Sequence, residues 1–362
     1  MVYKVIGMMS GSSLDGMDLV FTTLEEIGGK WGYQIEQAAC IPYEESLQEK
    51  LKGAESLPSA DYLVLHSDYG RYIGERVNAF IEVHHLQHKV ALVASHGHTT
   101  FHMPARGMTH QLGDGATIAA VTGLPVVSDL RNLDVAFGGQ GAPIVPMGEK
   151  LLFPDYHYFL NIGGIANISL RSGDTMNAFD VCPANRVLNM LAGQKGLAYD
   201  EGGSLAASGK INQPLLDQLN ALEYYHQSGP RSLSNSFGTQ TIYGLLQFSG
   251  IPLEDQIRTM TEHISIQITR ALQSQNGDAP KKLFVSGGGA FNHFLVQTLR
   301  DHLAPLQFEV YIPDDTLISY KEALIMALLG TLRYREQNTV LASVTGASRD
   351  SIGGALWLGT EA

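Results

Sequence analysis

The sequence predicts an α/β protein built of two similar halves. Three observations carry that expectation. Short apolar runs flank a Gly/Ser/Asp-rich turn at residues 8–18. The order strand, glycine turn, strand returns at residues 156–170. Each hairpin is followed by alternating helix-like and strand-like stretches. The likeness between the halves lies in architecture and not in letters.

The totals permit this. The chain has 362 residues, enough for two domains with cores of their own. It is 44% hydrophobic and 17% charged, a globular balance. Lys and Arg number 24 against 36 Asp and Glu, a net charge of −12. That balance argues against a nucleic-acid or anionic-membrane binder, yet a pocket can be locally positive. Two cysteines, Cys40 and Cys182, are too few for a disulfide framework and suit a reducing cytoplasm. The N-terminal residues lack a signal-peptide pattern, and no apolar run is long enough to span a bilayer.

In chain order, residues 2–7, 19–23 and 32–41 read as strands and 44–54 as a helix. A longer helix over 60–84 shows an apolar face of Leu63, Leu65, Tyr69, Tyr72, Ile73, Val77, Phe80 and Ile81. Residues 89–95 form a continuous apolar run, expected as a buried strand. A short helix over 117–122 and a strand over 124–128 precede DLRNLDVAFGGQGAPIVP, residues 129–146. That stretch has no clean period and reads as a functional loop or a linker. In the second half, 156–161, 167–170 and 177–183 read as strands, and 185–192, 214–227, 239–249 and 253–274 as helices. A strand at 282–286 runs into Gly287, Gly288 and Gly289, followed by a helix to about residue 303 and a strand at 308–312. The last long helix is expected over 321–335, with Glu322 in its opening turn, where a carboxylate favours the helix dipole.

The first turn carries the chemistry. Gly11, Ser12, Ser13, Leu14, Asp15, Gly16, Met17 and Asp18 supply glycines, hydroxyls and two carboxylates, and Ser10 adds a third hydroxyl. Glycine lets backbone N–H groups approach an anion, and hydroxyls add donors. A carboxylate beside phosphates requires a cation between them, typically Mg²⁺. The turn thus reads as a cradle for nucleotide phosphates, with Asp15 near Mg²⁺ through water. An ordinary polar turn has the same composition. His96, His98, His102 and His110 lack a regular metal-ligand spacing and read as hydrogen-bonding pocket residues.

The three glycine turns come in the order found in the actin/hexokinase/Hsp70 superfamily, where two hairpins hold ATP phosphates and a third turn meets adenosine. The letters narrow the likeness. MSGSSLDGMD resembles the MSGTSLDG signature of anhydro-N-acetylmuramic acid kinases, and SHGHTTFHMP is similar to that family's SHGQT stretch. QLGDGATIA, VVSDLRNLDVAFGGQGAPIVP, NIGGIANIS, SGGGAFN, Glu322–Ala323 and VTGA resemble it further, across essentially the whole chain. The resemblance implies a two-domain, ribonuclease H-like fold with an interdomain cleft. Residues 1–145, with 340–362, would form the first domain and 146–339 the second. It implies ATP and Mg²⁺, a cytoplasmic enzyme of cell-wall recycling, and a homodimer. Such enzymes open 1,6-anhydro-N-acetylmuramic acid with water and phosphorylate the released O6. Phosphate donors would come from the first turn and from Gly163 and Gly164, with Gly287, Gly288 and Gly289 at the adenosine. Asp180 stands in register with the family's general base; an N-cap or turn carboxylate beside Pro183 is the alternative. His96, Arg131 and Glu322 would meet the sugar. For Arg131 a structural salt bridge is the alternative, and Asp114 either caps the helix after it or orients the pocket.

Departures stand out. Val181 and Cys182 replace the Thr-Gly usual after the base, Asn189 replaces Asp, and residues 224–237 lose the usual P-K-S-T-G-R-E segment. These leave two alternatives: a related kinase for a different anhydro or amino sugar, and a nucleotide-gated regulatory protein without catalysis.

Overall fold

A computed structural model describes residues 1–11, 14–227, 232–273 and 280–360. The strands are β1 (Val2–Ser10), β2 (Gly16–Ile27), β3 (Lys30–Pro42), β4 (Leu92–Ser95), β5 (His98–Met103), β6 (Met108–Leu112) and β7 (Val126–Ser128). They continue with β8 (Tyr158–Ile162), β9 (Ile165–Ser172), β10 (Thr175–Pro183), β11 (Lys281–Ser286), β12 (Phe308–Tyr311) and β13 (Ala355–Trp357). One sheet runs β13-β7-β4-β1-β2-β3 and another β10-β9-β8-β11-β12.

The two sheets share one topology. In each, the first three strands form an antiparallel meander, and two further strands add in parallel beside the first. That is the 3-2-1-4-5 order of the ribonuclease H-like fold, present twice. β1 is central in its sheet, and Val5, Ile6, Gly7 and Met8 are buried in succession without alternation, as a strand covered on both faces requires. A small two-stranded sheet, β5–β6, is polar, with His98, Thr100, His102, Thr109 and Gln111 in it; apolar periodicity gave no hint of it.

The chain divides into two compact units, Met1–Pro154 with Tyr320–Ala362, and Asp155–Ser319. The boundaries expected at 145/146 and 339/340 thus both fall inside the first unit. Close packing explains why. Lys321 Nζ reaches Glu149 Oε1 at 2.8 Å, an ion pair almost wholly withdrawn from water. A Cβ on Gly7 would lie 2.0 Å from the Ala323 carbonyl oxygen, so the helix Asp315–Tyr334 lies directly on β1. That helix starts six residues earlier than expected. Asp314 Oδ1 accepts from the Leu317 N–H at 2.9 Å, and Leu317 and Ile318 are buried. Glu322 is therefore mid-helix, far from any N-terminal dipole, which corrects the expectation of an opening residue.

In the helix Ser59–Val83, Leu65, Tyr69, Ile73, Val77 and Phe80 bury one stripe, whereas Leu63 is 59% exposed and lies off the predicted face. In the second unit the helix Leu253–Gln273 buries His263, whose ring nitrogens meet Asn220 Oδ1 and Tyr225 OH. No helix among the described residues is long and apolar enough to cross a membrane.

Gly7→Ala drives a methyl into a backbone carbonyl. It should lower the unfolding free energy by about 3 kcal/mol, read as a lower urea midpoint. An unmoved midpoint would show that helix and strand can part at no cost.

Candidate active site

The first turn hangs between Ser10 and Gly16, paired at the Ser10–Met17 position of the β1–β2 ladder. Leu14 sits in the left-handed region at φ 58° with its side chain 5% exposed in the core of the first unit. A leucine is rarely found there, and such strain persists only where packing enforces it. Met17 is fully buried as well. Leu14 and Met17, expected among the ligand-facing residues, therefore offer a ligand only their backbone. Gly16 is required on steric grounds, since a Cβ would lie 2.6 Å from the Ile41 carbonyl oxygen. Asp15 is exposed at the tip. Ser12 and Ser13 lie outside the described residues. Ser10 turns inward, accepting from Tyr43 OH at 2.8 Å.

Near this turn the first unit gathers carboxylates. Burial pushes the Asp18 carboxyl up to about 6; a hydrogen bond with the Cys40 thiol opposes the rise, and Glu322 and Asp15 add to it. Burial also raises the carboxyl of Glu322, against the pull of Lys321 and Arg131. No group of three His, Cys, Asp or Glu among the described residues is arranged to hold a metal by itself.

Arg131 is tied down by neutral partners. Its Nε donates to His96 Nε2 at 2.9 Å and its Nη1 to the Gly141 carbonyl at 2.6 Å. Burial depresses its pKa to about 10. No salt bridge to Arg131 is present among the described residues, so the structural alternative takes a different form from the one expected. His96 accepts from Arg131 at Nε2, so the hydrogen is on Nδ1, which donates to the Gly97 carbonyl at 2.9 Å. Burial and then the Arg131 charge hold the His96 pKa down to about 3. His96 is thus a neutral anchor for the guanidinium and no proton carrier near neutral pH. His98, His102 and His110 bond to Ser10, Thr109 and Tyr62. Asp114 caps the helix Gly115–Thr122 through the Thr117 N–H at 3.0 Å.

Sequence reasoning missed Asp134. It is fully buried and makes no salt bridge among the described residues, though its charge favours that of Arg131; Oδ2 accepts from the Gly141 N–H at 2.7 Å and Oδ1 from the Thr345 hydroxyl at 2.7 Å. One carboxylate therefore joins the glycine-rich loop to the VTGA stretch and sets the carbonyl that holds Arg131. Its signal in the sequence was an acid within an aperiodic stretch, five residues after Asp129.

In the second unit Gly163 and Gly164 form the tight turn between β8 and β9. Their carbonyls accept from the backbone N–H groups of Asn185 at 3.1 Å and Ala184 at 2.9 Å. The helix Asn185–Gly193 thus spends its first donors on the turn and fixes its plane. The Arg186 side chain lies beside Gly164, where a Cβ would come 3.3 Å from its Nε. A Cβ on Gly287 would lie 2.4 Å from Asn161 Oδ1, and one on Gly289 2.2 Å from Ile162 Cγ2. The second and third glycine turns are therefore packed together. Next to them opens a cavity of about 580 Å³ lined by Asn185, Asn189, Tyr199, Gly288, Phe291 and His293 among others. The aromatic and amide groups of that wall were not foreseen.

Asp180 lies inside β10 and caps no helix; the residue at the N-cap of the next helix is Ala184. The ladder slips between Asp180 and Cys182, so Val181 forms a bulge, a device that re-aims a neighbouring side chain. Three residues of the segment 224–237, namely Tyr224, Ser232 and Leu233, contact this acid. The Tyr224 hydroxyl donates to the Asp180 carbonyl at 2.7 Å, and the Leu233 N–H and Ser232 hydroxyl donate to Oδ2 at 2.8 and 3.4 Å. Among the described residues both carboxylate bonds fall on Oδ2. Burial raises the Asp180 carboxyl above its ordinary value, and the two hydrogen bonds oppose the rise. Cys182 is a fully buried packing residue.

Comparison with known proteins settles the family. The model of the anhydro-N-acetylmuramic acid kinase family matches residues 3–359. The chain belongs to that family. An anhydro-N-acetylmuramic acid kinase of Haemophilus influenzae is 33% identical, with 94% of each chain covered. One of Gloeobacter violaceus is 34% identical over 95% of this chain and 96% of its own. One of Pseudomonas savastanoi pv. phaseolicola is 32% identical over 99% and 100%.

Asp134→Ala leaves two buried donors without an acceptor. It should cost about 3 kcal/mol, read as a fall in the thermal midpoint. A midpoint within error of the parent would mean the loop is held by other contacts.

Proposed function

We propose that the protein uses ATP and water to open 1,6-anhydro-N-acetylmuramic acid, giving N-acetylmuramic acid 6-phosphate and ADP. The observation that carries this is the bulge-borne Asp180 carboxylate, held at Oδ2 by the segment 232–233, in a chain of this family. Asp180 is assigned as general base, with Oδ1 receiving the proton of the attacking water. The water oxygen bonds to the anomeric carbon, and the bond from that carbon to the bridging O6 breaks. O6 takes the γ-phosphoryl group as the bond to ADP breaks. Water is a weak nucleophile, so an acid ionised at working pH and aimed at it is worth several powers of ten.

The other residues receive roles by their chemistry. Gly11–Gly16, Ser12 and Ser13 of the first turn, with Gly163 and Gly164, are assigned to the phosphates through backbone N–H groups. Gly287, Gly288 and Gly289, with the adjoining cavity, are assigned to adenosine. Arg131, set by His96, is assigned to the sugar, with Glu322. Mg²⁺ fits the first turn: Glu322 and Asp15 both repel the Asp18 carboxylate, and a cation that keeps its waters needs only one or two carboxylates. When bound, it would neutralise charge on the phosphates. ATP use and a cysteine count too low for a disulfide framework support a cytoplasmic site of action. A homodimer follows the family's habit.

The segment 224–237 supports a second reading, a kinase for a different anhydro or amino sugar, because the part that touches Asp180 is the part that departs. Coupled ADP release over a sugar panel decides between them. Release with 1,6-anhydro-N-acetylmuramic acid alone is expected; release with another sugar alone would replace the first reading by the second.

Asp180→Asn should reduce turnover by a factor of at least about 10³ and leave ATP binding near normal. Unchanged turnover would remove Asp180 from the mechanism. In the parent, kcat/KM should fall on the acid side at a pH above the usual carboxylate range, because the ionised form is the active one and burial raises its pKa. Ser232→Ala removes a bond to the ionised form and should move that limb to higher pH; a limb that stays, or moves down, contradicts the assignment. Asp15→Ala should raise the Mg²⁺ concentration needed for half-maximal rate about tenfold. An unaltered Mg²⁺ requirement would separate the carboxylate from the metal.

A further inference from the structure

Ser10 ends β1 one residue before the first glycine turn, and a buried chain of hydroxyls converges on it. Ser10, Tyr43, Tyr69 and His98 are 3%, 5%, 1% and 7% exposed. Tyr43 OH donates to Ser10 Oγ at 2.8 Å and lies 2.6 Å from Tyr69 OH. The single Tyr43 hydrogen is spent on Ser10, so Tyr69 is the donor in the second bond. Ser10 Oγ and His98 Nδ1 lie 3.3 Å apart, a hydrogen bond whose direction is set by the imidazole tautomer. Burial depresses the pKa of this imidazole. The bonds link Tyr69, Tyr43, Ser10 and His98 in one buried relay.

The backbone holds both ends in place. Gly97 turns the chain at φ 71°, where a Cβ would lie 2.4 Å from the Leu112 carbonyl oxygen, and His98 then pairs with Leu112. Ser95 lies beside Met8 of β1, and the His96 N–H donates to the Met8 carbonyl at 3.3 Å. The end of β1 is thus tied to residues 95–98 by backbone and by side chain.

We propose that His98 is a positioning residue for the first glycine turn: as the last member of the relay, hydrogen-bonded to Ser10, it fixes the Ser10 hydroxyl and the strand end from which the turn sets out. This rests on the assignment of that turn to the ATP phosphates. Without a hydrogen-bonding group at residue 98, the buried Ser10 hydroxyl loses a partner and Ser10 rotates or shifts. The strand end that carries Gly11 then loses its support. The loss falls on ATP binding, because His98 touches neither the acid nor the phosphoryl group in this scheme.

The test is steady-state kinetics of the full chain with ATP, Mg²⁺ and 1,6-anhydro-N-acetylmuramic acid, for the parent, His98→Leu, His98→Gln, Ser10→Ala, the Ser10→Ala/His98→Leu pair and Asp15→Ala. His98→Leu should raise KM for ATP about tenfold, with KM for the sugar and kcat within about twofold. His98→Gln, whose amide keeps an acceptor and a donor, should restore KM for ATP to within about threefold of the parent. The pair should be no worse than the worse single variant, since both break one relay. Equal rises in both KM values, or a Gln variant as impaired as Leu, overturn the proposal. If Asp15→Ala moves KM for ATP and His98→Leu does not, the relay alone fails. If neither moves it, the phosphate assignment of the turn fails and the relay role falls with it.

Discussion

The structure depends on one constraint: a strand buried on both faces cannot bend within the sheet, so its polar business is done where it ends. β1 is covered by Gly7 packing on the helix Asp315–Tyr334 and by the apolar core of the first unit. β8 is central in the second sheet in the same way. Each therefore delivers its glycine turn at a fixed height, with the following strand locked in antiparallel register. Turns held like this hold their N–H groups in advance, and preorganised donors cost nothing when charge arrives.

Much of this was legible in the sequence, because glycine clusters and apolar runs report local geometry. Both hairpins and the third glycine turn stand where the letters put them, whereas the helices Asn132–Ala136, Val145–Leu152 and Ser204–Ser208 were not foreseen. The misses have physical causes. β2, β3 and β9 run longer than their apolar cores, since half-exposed strand positions carry polar residues and blur the pattern. The β5–β6 pair is held by hydroxyl and imidazole contacts, which leave no apolar period to detect. The opening turn of the helix that carries Glu322 was missed because its cap, Asp314, precedes the amphipathic stretch.

Side chains were less legible than elements. Asp134 could not be recognised, because its partner Thr345 is more than two hundred residues away along the chain. The residues that set Asp180 were hidden for the opposite reason. They lie in a stretch where no family motif was recognised, yet Tyr224, Ser232 and Leu233 do the holding. A backbone N–H can serve as a clamp whatever side chain it carries, so the letters of such a segment do not announce its hold on an acid. His96 gives a further case: the motif marks it as polar, and only the hydrogen bonds show it to be a neutral spacer for Arg131.

The first unit is discontinuous, and that has a consequence during synthesis. Its leading piece, Met1–Pro154, emerges from the ribosome without the helix that covers Gly7 and without β13, which pairs with β7. The second unit is a single continuous segment and lacks nothing for its own sheet once β12 has appeared. The half that is translated later can thus mature sooner, while the nascent N-terminal sheet waits with β7 as an unprotected margin for the last residues to arrive.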